Sequence, residues 1–172
     1  DHSTDNTVSI IQSYQDARIQ LLNNAGAGIV KNFEHALSLC KGDFIFLADQ
    51  DDMWMPDKIK NTLPYFTEFD LVVNDCEIVN EYLVTLHESF YKFNRSGKGL
   101  LRNLFRNSYM GCCMAFKKSV LQKALPFPPK IIMHDQWLGL VAELHFYIAF
   151  NPEKLVLHRR HDQNASTTFY RS

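Results

Sequence analysis

The stretch that decides the fold is Gly42-Asp43-Phe44-Ile45-Phe46-Leu47-Ala48-Asp49-Gln50-Asp51-Asp52-Met53-Trp54. Its apolar run from Phe44 to Ala48 follows a glycine and is typical of a strand buried on both faces of a mostly parallel sheet. Three carboxylates follow at once. Ligands bind at the carboxyl ends of strands in open α/β sheets, and clustered carboxylates repel one another there unless a cation or hydrogen-bond donors offset the charge. The pattern predicts a site for a hard divalent cation, Mg²⁺ or Mn²⁺, with oxygen ligands.

The same carboxylates have a plainer interpretation. An acidic turn also serves to begin a helix, and Asp52 or Met55 stands just before a predicted helix at Pro56. Asp-rich turns are common in proteins without any metal, so this stretch alone leaves both interpretations open.

Composition bounds the class of protein. The chain has 172 residues, of which 46% are hydrophobic and 22% charged, and a net charge of -1. These values predict a globular chain with one sizeable core. The near-neutral charge argues against a nucleic-acid partner, which normally requires a basic excess. The cysteines, Cys40, Cys76, Cys112 and Cys113, lack metal-binding spacing and are interpreted as reduced, mostly buried thiols of a cytosolic protein.

The order of predicted elements indicates an α/β fold. A helix through Val8, Ile11 and Tyr14 precedes a short strand at Ile19 to Leu22, and a second helix runs from Ile29 to Cys40 before the strand at Phe44. Alternating helices and strands predict parallel pairing with right-handed crossovers. The later elements are predicted as helices from Pro56 (with Ile59, Leu63 and Phe66 buried), at 100–105, 117–125 and 134–144, and as strands at 70–79 and 109–116.

Several short motifs follow one another in an order that resembles family 2 glycosyltransferases. They are Asp1-His2-Ser3-Thr4-Asp5, Asn24-x-Gly26 with Gly28-x-x-x-Asn32, Gly42-Asp43 through Trp54-x-Pro56-Asp57-Lys58, Gly111-Cys112, His134-Asp135 and His158-Arg159-Arg160-His161-x-x-Asn164. The likeness covers nearly the whole chain and is greatest to bacterial rhamnosyltransferases and galactosyltransferases of surface polysaccharide synthesis. Two positions depart from the family pattern, because His2 stands where glycine is usual and His134 where glutamate is common.

The resemblance implies a GT-A-type, Rossmann-like, mostly parallel sheet flanked by helices, and an inverting transfer of sugar from a UDP- or dTDP-linked donor to a glycan or lipid-linked hydroxyl. It implies a Mg²⁺ or Mn²⁺ ion held by Asp51 and Asp49, and Asp135 as the catalytic base. The nucleotide sugar would contact Asp1, Asn32, Asp49, Arg159 and His161. It implies a cytoplasmic location, and it leaves association with the inner face of the membrane and homo-oligomer formation open.

Each of these roles has a structural alternative. Asp135 also fits a charge that complements a helix dipole, and the basic residues near 159 also fit a solvated strand end. Trp54 and Trp137 are interpreted as core or sugar-platform residues, and His35, His87 and His145 as structural or surface residues. At the level of function, a non-catalytic sugar-nucleotide or glycan-binding domain and a nucleotidyltransferase are the alternatives.

The family pattern also predicts how the chain is divided. Residues 1–172 form one domain, with the remainder of the nucleotide-sugar-binding half at 1–75 and the acceptor-binding half at 76–172. The family's first strand, helix and strand have no counterpart before Asp1, so a central strand is expected to be lacking between Ile19–Leu22 and Phe44–Ala48. Such a gap would expose the edges of two apolar strands, and an upstream segment or another chain is expected to fill it.

Overall fold

The computed structural model describes residues 4–24, 26 and 28–161. Its helices are α1 (Thr7–Ser13), α2 (Ile29–Ser38), α3 (Lys58–Thr62), α4 (Phe90–Asn94), α5 (Leu100–Phe105), α6 (Lys118–Ala124) and α7 (His134–His145), with 3-10 turns at Leu63–Thr67 and Gly111–Cys113. Its strands are β1 (Phe44–Phe46), β2 (Met53–Trp54), β3 (Leu71–Asn80), β4 (Thr85–His87), β5 (Met114–Lys117) and β6 (Ile148–Arg160). Within these residues, no helix combines the length and apolar character that crossing a bilayer requires.

The strands form one sheet in the order β1-β5-β3-β6-β2, with β4 added to β3. The α/β class is confirmed, but the prediction of a mostly parallel sheet is wrong for the described strands. Only β3 and β6 are hydrogen-bonded in parallel, and the other pairings are antiparallel. The physical reason is that β5 runs backwards between β1 and β3, and hydrophobic periodicity carries no information about strand direction.

The direction of the strands sets where the site lies. Because β5 is antiparallel to both β1 and β3, these two strands run the same way, and β6 is parallel to β3. The carboxyl ends of β1, β3 and β6 therefore meet at one edge of the sheet. This edge receives the loop after Phe46 and the end of the long strand β6.

The core is centred on β3, where the residues from Leu71 to Cys76 are all buried. Helix α7 packs close to this core at Gly139. A Cβ atom there would lie 2.1 Å from Cδ2 of Tyr109, so only glycine permits the approach. Helix α7 is thereby seated firmly, with its first turn at the strand ends.

Two predictions for the first part of the chain are wrong. Residues Ile19–Leu22 form no strand, and they are mostly exposed. Strand β1 is not buried on both faces, since Phe44 is 44% exposed while Ile45 is buried. The reason is that β1 is an edge strand within the described sheet and pairs with β5 alone. One of the two strands expected to border the gap, Ile19–Leu22, is therefore not formed, and the filling of that gap by an upstream segment or another chain stays a prediction.

The helix predicted from Pro56 begins at Lys58 instead. Its buried side consists of Lys58 and Thr62, followed by Phe66 in the next turn, whereas Ile59 and Leu63 are exposed. A hydrophobicity pattern reads lysine as a surface residue. Here the ammonium group of Lys58 has partners inside the protein, so the face of α3 that carries Lys58 is buried and the face that carries Ile59 is exposed.

Candidate functional site

The loop between β1 and β2 carries three carboxylates, those of Asp49, Asp51 and Asp52, and none of these residues is exposed. Strand β2 returns antiparallel to β6, with Met53 opposite Leu157, so the loop lies against the last residues of β6. The predicted acidic cluster is therefore positioned by two strands that are far apart in sequence. Its three carboxylates have different surroundings.

Asp52 is the anchored member of the cluster. Its oxygens lie 3.0 and 3.1 Å from Nδ1 of His158, and Oδ1 also accepts the backbone N–H of Arg159 at 2.8 Å. Burial alone would raise the pKa of Asp52, but these hydrogen bonds outweigh it and hold the pKa below its ordinary value. Asp52 therefore does not cap α3, as the plainer interpretation supposed; it ties the loop to β6.

His158 is the cationic partner of Asp52. Burial would lower the pKa of His158, but the hydrogen bond with Asp52 and the nearby thiol of Cys112 raise it to about 10. Its Nε2 atom is buried and has no hydrogen-bond partner among the described residues.

Asp51 lies beside the end of β6 as well. Its Oδ2 atom is 2.9 Å from Nε2 of His161. The structure thus brings together Asp51 and His161, two residues that the resemblance assigned to the metal and to the nucleotide sugar. Arg159 lies between His158 and His161 on the same strand end and is partly buried.

Asp49 has a different environment, because no hydrogen bond to its carboxylate occurs within the described part of the chain. Burial raises the pKa of Asp49 to about 6, and the negative charges of Asp52 and Asp51 add to the rise, against the opposing charges of His158 and Lys58. An acid with this much unbalanced charge is stabilised by a cation or a proton.

Asp135 lies in the first turn of α7 and points to the same region. Its Oδ2 atom accepts the backbone N–H of Gly111 at 3.1 Å, and Oδ1 accepts that of Gln136 at 2.6 Å. Burial raises the pKa of Asp135 to about 6, the two backbone donors oppose this, and the negative charge of Asp49 contributes to the rise. Asp49 and Asp135 are thus close enough to influence each other's ionisation.

His134, which precedes Asp135, is buried and neutral. Its ring stacks on Phe33 with a centroid separation of 3.6 Å, and neither ring nitrogen has a hydrogen-bond partner in the described ranges. Burial lowers the pKa of His134 to about 4. A Cβ atom on Gly111 would lie 3.2 Å from His134 Nε2, so Gly111 leaves room for the histidine. His134 is part of the packing that seats the first turn of α7.

Sequence reasoning missed a buried lysine below the loop. The Nζ atom of Lys58 donates to the backbone oxygen of Cys112 at 2.5 Å and lies 3.9 Å from the centroid of the Trp54 ring. Burial lowers the pKa of Lys58, while the thiols nearby and Asp52 oppose that change. Lys58 is also close enough to Asp49 to oppose the rise of its pKa.

Asp52 was predicted only as a residue that begins a helix, and no role was predicted for His158. The alternation along β6 contained a signal for His158, since it shares the inward face with Val156, and both are buried. No comparable signal existed for Lys58, because its burial depends on a carbonyl group 54 residues away.

Two further residues, Asp1 and Asn32, were predicted to contact the nucleotide sugar. Asp1 is outside the described residues. Asn32 lies on α2, where its Oδ1 accepts a hydrogen bond from Asn24 Nδ2 at 2.8 Å. Trp137 belongs to the core, as one interpretation predicted, with its indole N–H donating to the Ala124 carbonyl oxygen at 3.0 Å.

The residues present fit a hard divalent cation better than zinc. A second group of potential ligands consists of Asp52, Cys112 and His158, whose ligand atoms all lie within 4.8 Å of one another. However, the contact with Cys113 and burial hold the pKa of the Cys112 thiol well above its usual range, and His158 Nδ1 is engaged by Asp52. Neither group is in the form that binds zinc. Asp49 and Asp51 offer carboxylate oxygens, which Mg²⁺ and Mn²⁺ prefer.

Comparison with known proteins agrees with this fold. The sequence is 28% identical to the dTDP-rhamnosyl transferase RfbG of Shigella flexneri, over 95% of this chain and 62% of that protein. It is 28% identical to the Escherichia coli protein named UDP-Glc:alpha-D-GlcNAc-diphosphoundecaprenol beta-1,3-glucosyltransferase WfgD, over 83% of this chain and 56% of the relative. The chain thus spans about three fifths of these curated relatives.

Among solved structures, S. aureus TarS 1-349 in complex with UDP-GlcNAc superposes with a TM-score of 0.71 at 18% identity, over 95% of this chain and 49% of that one. This likeness shows a shared fold. The sequence profile described as Glycosyl transferase family 2 matches residues 1–125, which is most of the chain. The chain therefore belongs to glycosyltransferase family 2.

Proposed function

We propose that this chain is the donor-binding and catalytic part of a metal-dependent, inverting glycosyltransferase of surface polysaccharide synthesis. Its donor is a UDP- or dTDP-linked sugar, and its acceptor is a hydroxyl of a glycan or a lipid-linked glycan at the cytoplasmic side of the membrane. The observation that carries the proposal is the convergence of Asp49, Asp51 and Asp135. Two of these carboxyls have pKa values raised to about 6, and each of those two residues lies on a different element.

The printed names of the relatives support the donor class. RfbG is a dTDP-rhamnosyl transferase, WfgD is named for a UDP-Glc donor, and TarS was solved with UDP-GlcNAc. The sugar compounds in these three names are all nucleoside-diphosphate sugars. A nucleoside diphosphate is also the leaving group that this site fits best, because the acidic loop would hold a cation and the end of β6 carries basic side chains.

In this proposal the acidic loop and the end of β6 hold the donor. Residues 1–75 form most of the donor half. Residues 76–172 form the acceptor half and also contribute the end of β6 to the donor site. Asp51 and Asp49 would hold Mg²⁺ or Mn²⁺, and the bound ion would offset the negative charge of the diphosphate leaving group. Arg159 and His161 donate charge-assisted hydrogen bonds to the phosphates. Asp1 and Asn32 contact the nucleotide.

Asp135 is the proposed base. Inversion by single displacement requires the acceptor oxygen to attack opposite the leaving group, so the base must take the hydroxyl proton on that side. Asp135 lies on α7 rather than on the acidic loop, which provides this separation. Its backbone donors, Gly111 and Gln136, fix the carboxylate without neutralising it. A pKa raised to about 6 leaves Asp135 ionised at neutral pH and a better proton acceptor than an ordinary aspartate.

The test is thermal stability with UDP or dTDP, each with and without Mn²⁺. A ligand that binds the native state alone stabilises it by about 3 kcal/mol when its concentration is a hundred times its Kd. We expect the rise in Tm to need both nucleotide and metal, and Asp51→Asn to abolish it. The exposed residue Asp43 gives a matched control, Asp43→Asn, which should keep the full rise.

Activity is tested separately, on a form of the protein that spans the full length of its relatives, by release of nucleoside diphosphate in the presence of acceptor. Turnover supports an enzyme. Metal-dependent nucleotide binding without turnover, for any acceptor preparation, would instead assign the chain to a non-catalytic sugar-nucleotide-binding role.

A further inference from the structure

Helix α5 has an inverted distribution of polar and apolar residues. Its buried residue is Asn103, whereas Leu101, Leu104 and Phe105 are 72%, 50% and 91% exposed. Amphipathic helices of globular proteins normally bury their leucine and phenylalanine residues and expose their asparagines. The packing of α5 therefore leaves three large apolar side chains in contact with water.

This inversion is held by specific hydrogen bonds of Asn103. Its Nδ2 atom donates to the backbone oxygens of Gly97 and Gly99 at 3.0 and 3.1 Å, and its Oδ1 accepts from Ser108 N at 2.9 Å. Since Asn103 bonds the backbone on both sides of α5, the outward orientation of the leucines is built into the fold.

The segment that contains α5 is strongly basic. Residues 89–134 contain nine of the chain's 18 lysines and arginines and none of its 19 acidic residues. Those nearest α5 are all exposed, namely Arg95, Lys98, Arg102 and Arg106. We define the α5 surface as these four residues together with Leu101, Leu104 and Phe105.

We propose that the α5 surface docks on an anionic lipid bilayer, with Leu101, Leu104 and Phe105 entering the interface and the four basic residues meeting the lipid phosphates. Apolar side chains surrounded by lysine and arginine match a negatively charged membrane surface. A second copy of the same surface would carry like charge and repel it. Nucleic acid would satisfy the basic residues but would leave the leucines in water.

Docking at this surface would leave helix α5 between the membrane and the first turn of α7, which carries the candidate base. Gln136, which follows Asp135, donates from Nε2 to the backbone oxygen of Asn103 at 2.9 Å. Helix α5 is thus bonded directly to the first turn of α7. This geometry suits an acceptor that stands in the bilayer, a consequence that rests on the proposed function; the docking itself does not.

The experiment is flotation of the whole chain with two kinds of vesicle, one of phosphatidylcholine alone and one of equal parts phosphatidylcholine and phosphatidylglycerol. We expect binding to the second kind, weakened by salt because surface charges are screened. Arg95→Gln with Arg102→Gln should lower the partition coefficient about 30-fold, since each basic residue near an anionic surface contributes roughly a factor of five. Leu101→Ser with Phe105→Ser should lower it at least about tenfold, since both side chains would be buried in the interface.

Matched controls are available on other elements. Ile10→Ser with Tyr14→Ser removes exposed apolar side chains of α1, and Lys41→Gln with Lys60→Gln removes exposed basic residues. Both should bind as the unmodified protein does, and all variants should keep the same Tm, because every substituted side chain is exposed.

Three results would overturn the proposal. The first is equal binding to both kinds of vesicle, or equal loss in the controls. The second is sedimentation of the protein without vesicles that is abolished by Leu101→Ser with Phe105→Ser, which would assign the surface to self-association. The third is binding to a mixed-sequence DNA duplex that is lost in Arg95→Gln with Arg102→Gln and kept in Leu101→Ser with Phe105→Ser. None of these measurements involves the donor or turnover, so they fail independently of the proposed function.

Discussion

Asp49 and Asp52 lie three residues apart in one loop, yet their carboxylates occupy opposite electrostatic environments. Asp52 is fully enclosed and bonded to His158 and to the backbone of Arg159, so its pKa stays below the ordinary value despite burial. Asp49 has no hydrogen-bond donor in the described residues, and its pKa rises to about 6. Asp135, across the site on α7, shares the raised pKa.

The difference separates an anchoring carboxylate from two that are available for chemistry. A buried charge whose hydrogen bonds are complete is fixed in place and stabilises the loop. Buried carboxylates whose charge is left unbalanced cost stability, and ligand binding or proton transfer relieves that cost. Breaking each kind of contact should therefore affect different measurements.

The largest effect is expected for Asp135→Asn. An amide cannot accept the acceptor's proton, so turnover should fall roughly a thousandfold, within the range for loss of a general base. Single-turnover kinetics and nucleotide titration measure the two quantities separately. The affinity for the nucleotide should stay near that of the unmodified protein, and Asp43→Asn should keep full turnover. Normal turnover with lost nucleotide binding would place Asp135 in the donor site instead.

Asp52→Asn should act on stability. Removing one partner of a buried ion pair leaves the other charge uncompensated and costs about 3 kcal/mol. Urea unfolding at pH 7 measures this loss. A double-mutant cycle with His158→Gln should show strong coupling between the two positions. Independent, additive losses would mean that the pair does not anchor the loop.

His134 should give a smaller, pH-dependent effect. Its pKa in the folded protein is about 4, lowered by burial from 6.5. As the pH falls below 6.5, His134 becomes protonated in the unfolded chain but stays neutral in the folded chain. The free energy of unfolding therefore falls until the pH approaches 4. Between pH 8 and pH 5 the loss is about 2 kcal/mol. His134→Leu should remove that part of the acid sensitivity, as unfolding curves at both pH values would show. An unchanged pH dependence would mean that the ring is not buried in its neutral form.

The smallest effect concerns the coupling of Asp49 and Asp135. Asp49→Asn removes a negative charge that raises the pKa of Asp135, so that pKa should fall by less than about one unit, equivalent to about 1 kcal/mol. Carbon-13 NMR titration of the Asp135 carboxyl in metal-free protein would detect it. A pKa that stays constant would show that burial alone sets the ionisation of Asp135.

The sequence predicted the local features well. The strand at β3, the helices α5, α6 and α7, and the acidic cluster directly after β1 were all predicted, because each depends on residues adjacent in the chain. Motif order was sufficient to predict the family, and the profile match confirms it. The roles of Asp49, Asp51, Asp135, Arg159 and His161 remain predictions.

Tertiary structure alone decided what depends on contacts between distant residues. The reversed strand β5 made the sheet mixed, since direction is set by chain connection rather than by hydrophobicity. The burial of Lys58 depends on the carbonyl oxygen of Cys112, and the pairing of Asp52 with His158 joins positions 106 residues apart. The outward leucines of α5 likewise follow from the hydrogen bonds of Asn103. Amino-acid pattern reports whether a residue prefers water, but the partners that the fold supplies determine which polar residues can be buried and which apolar residues stay exposed.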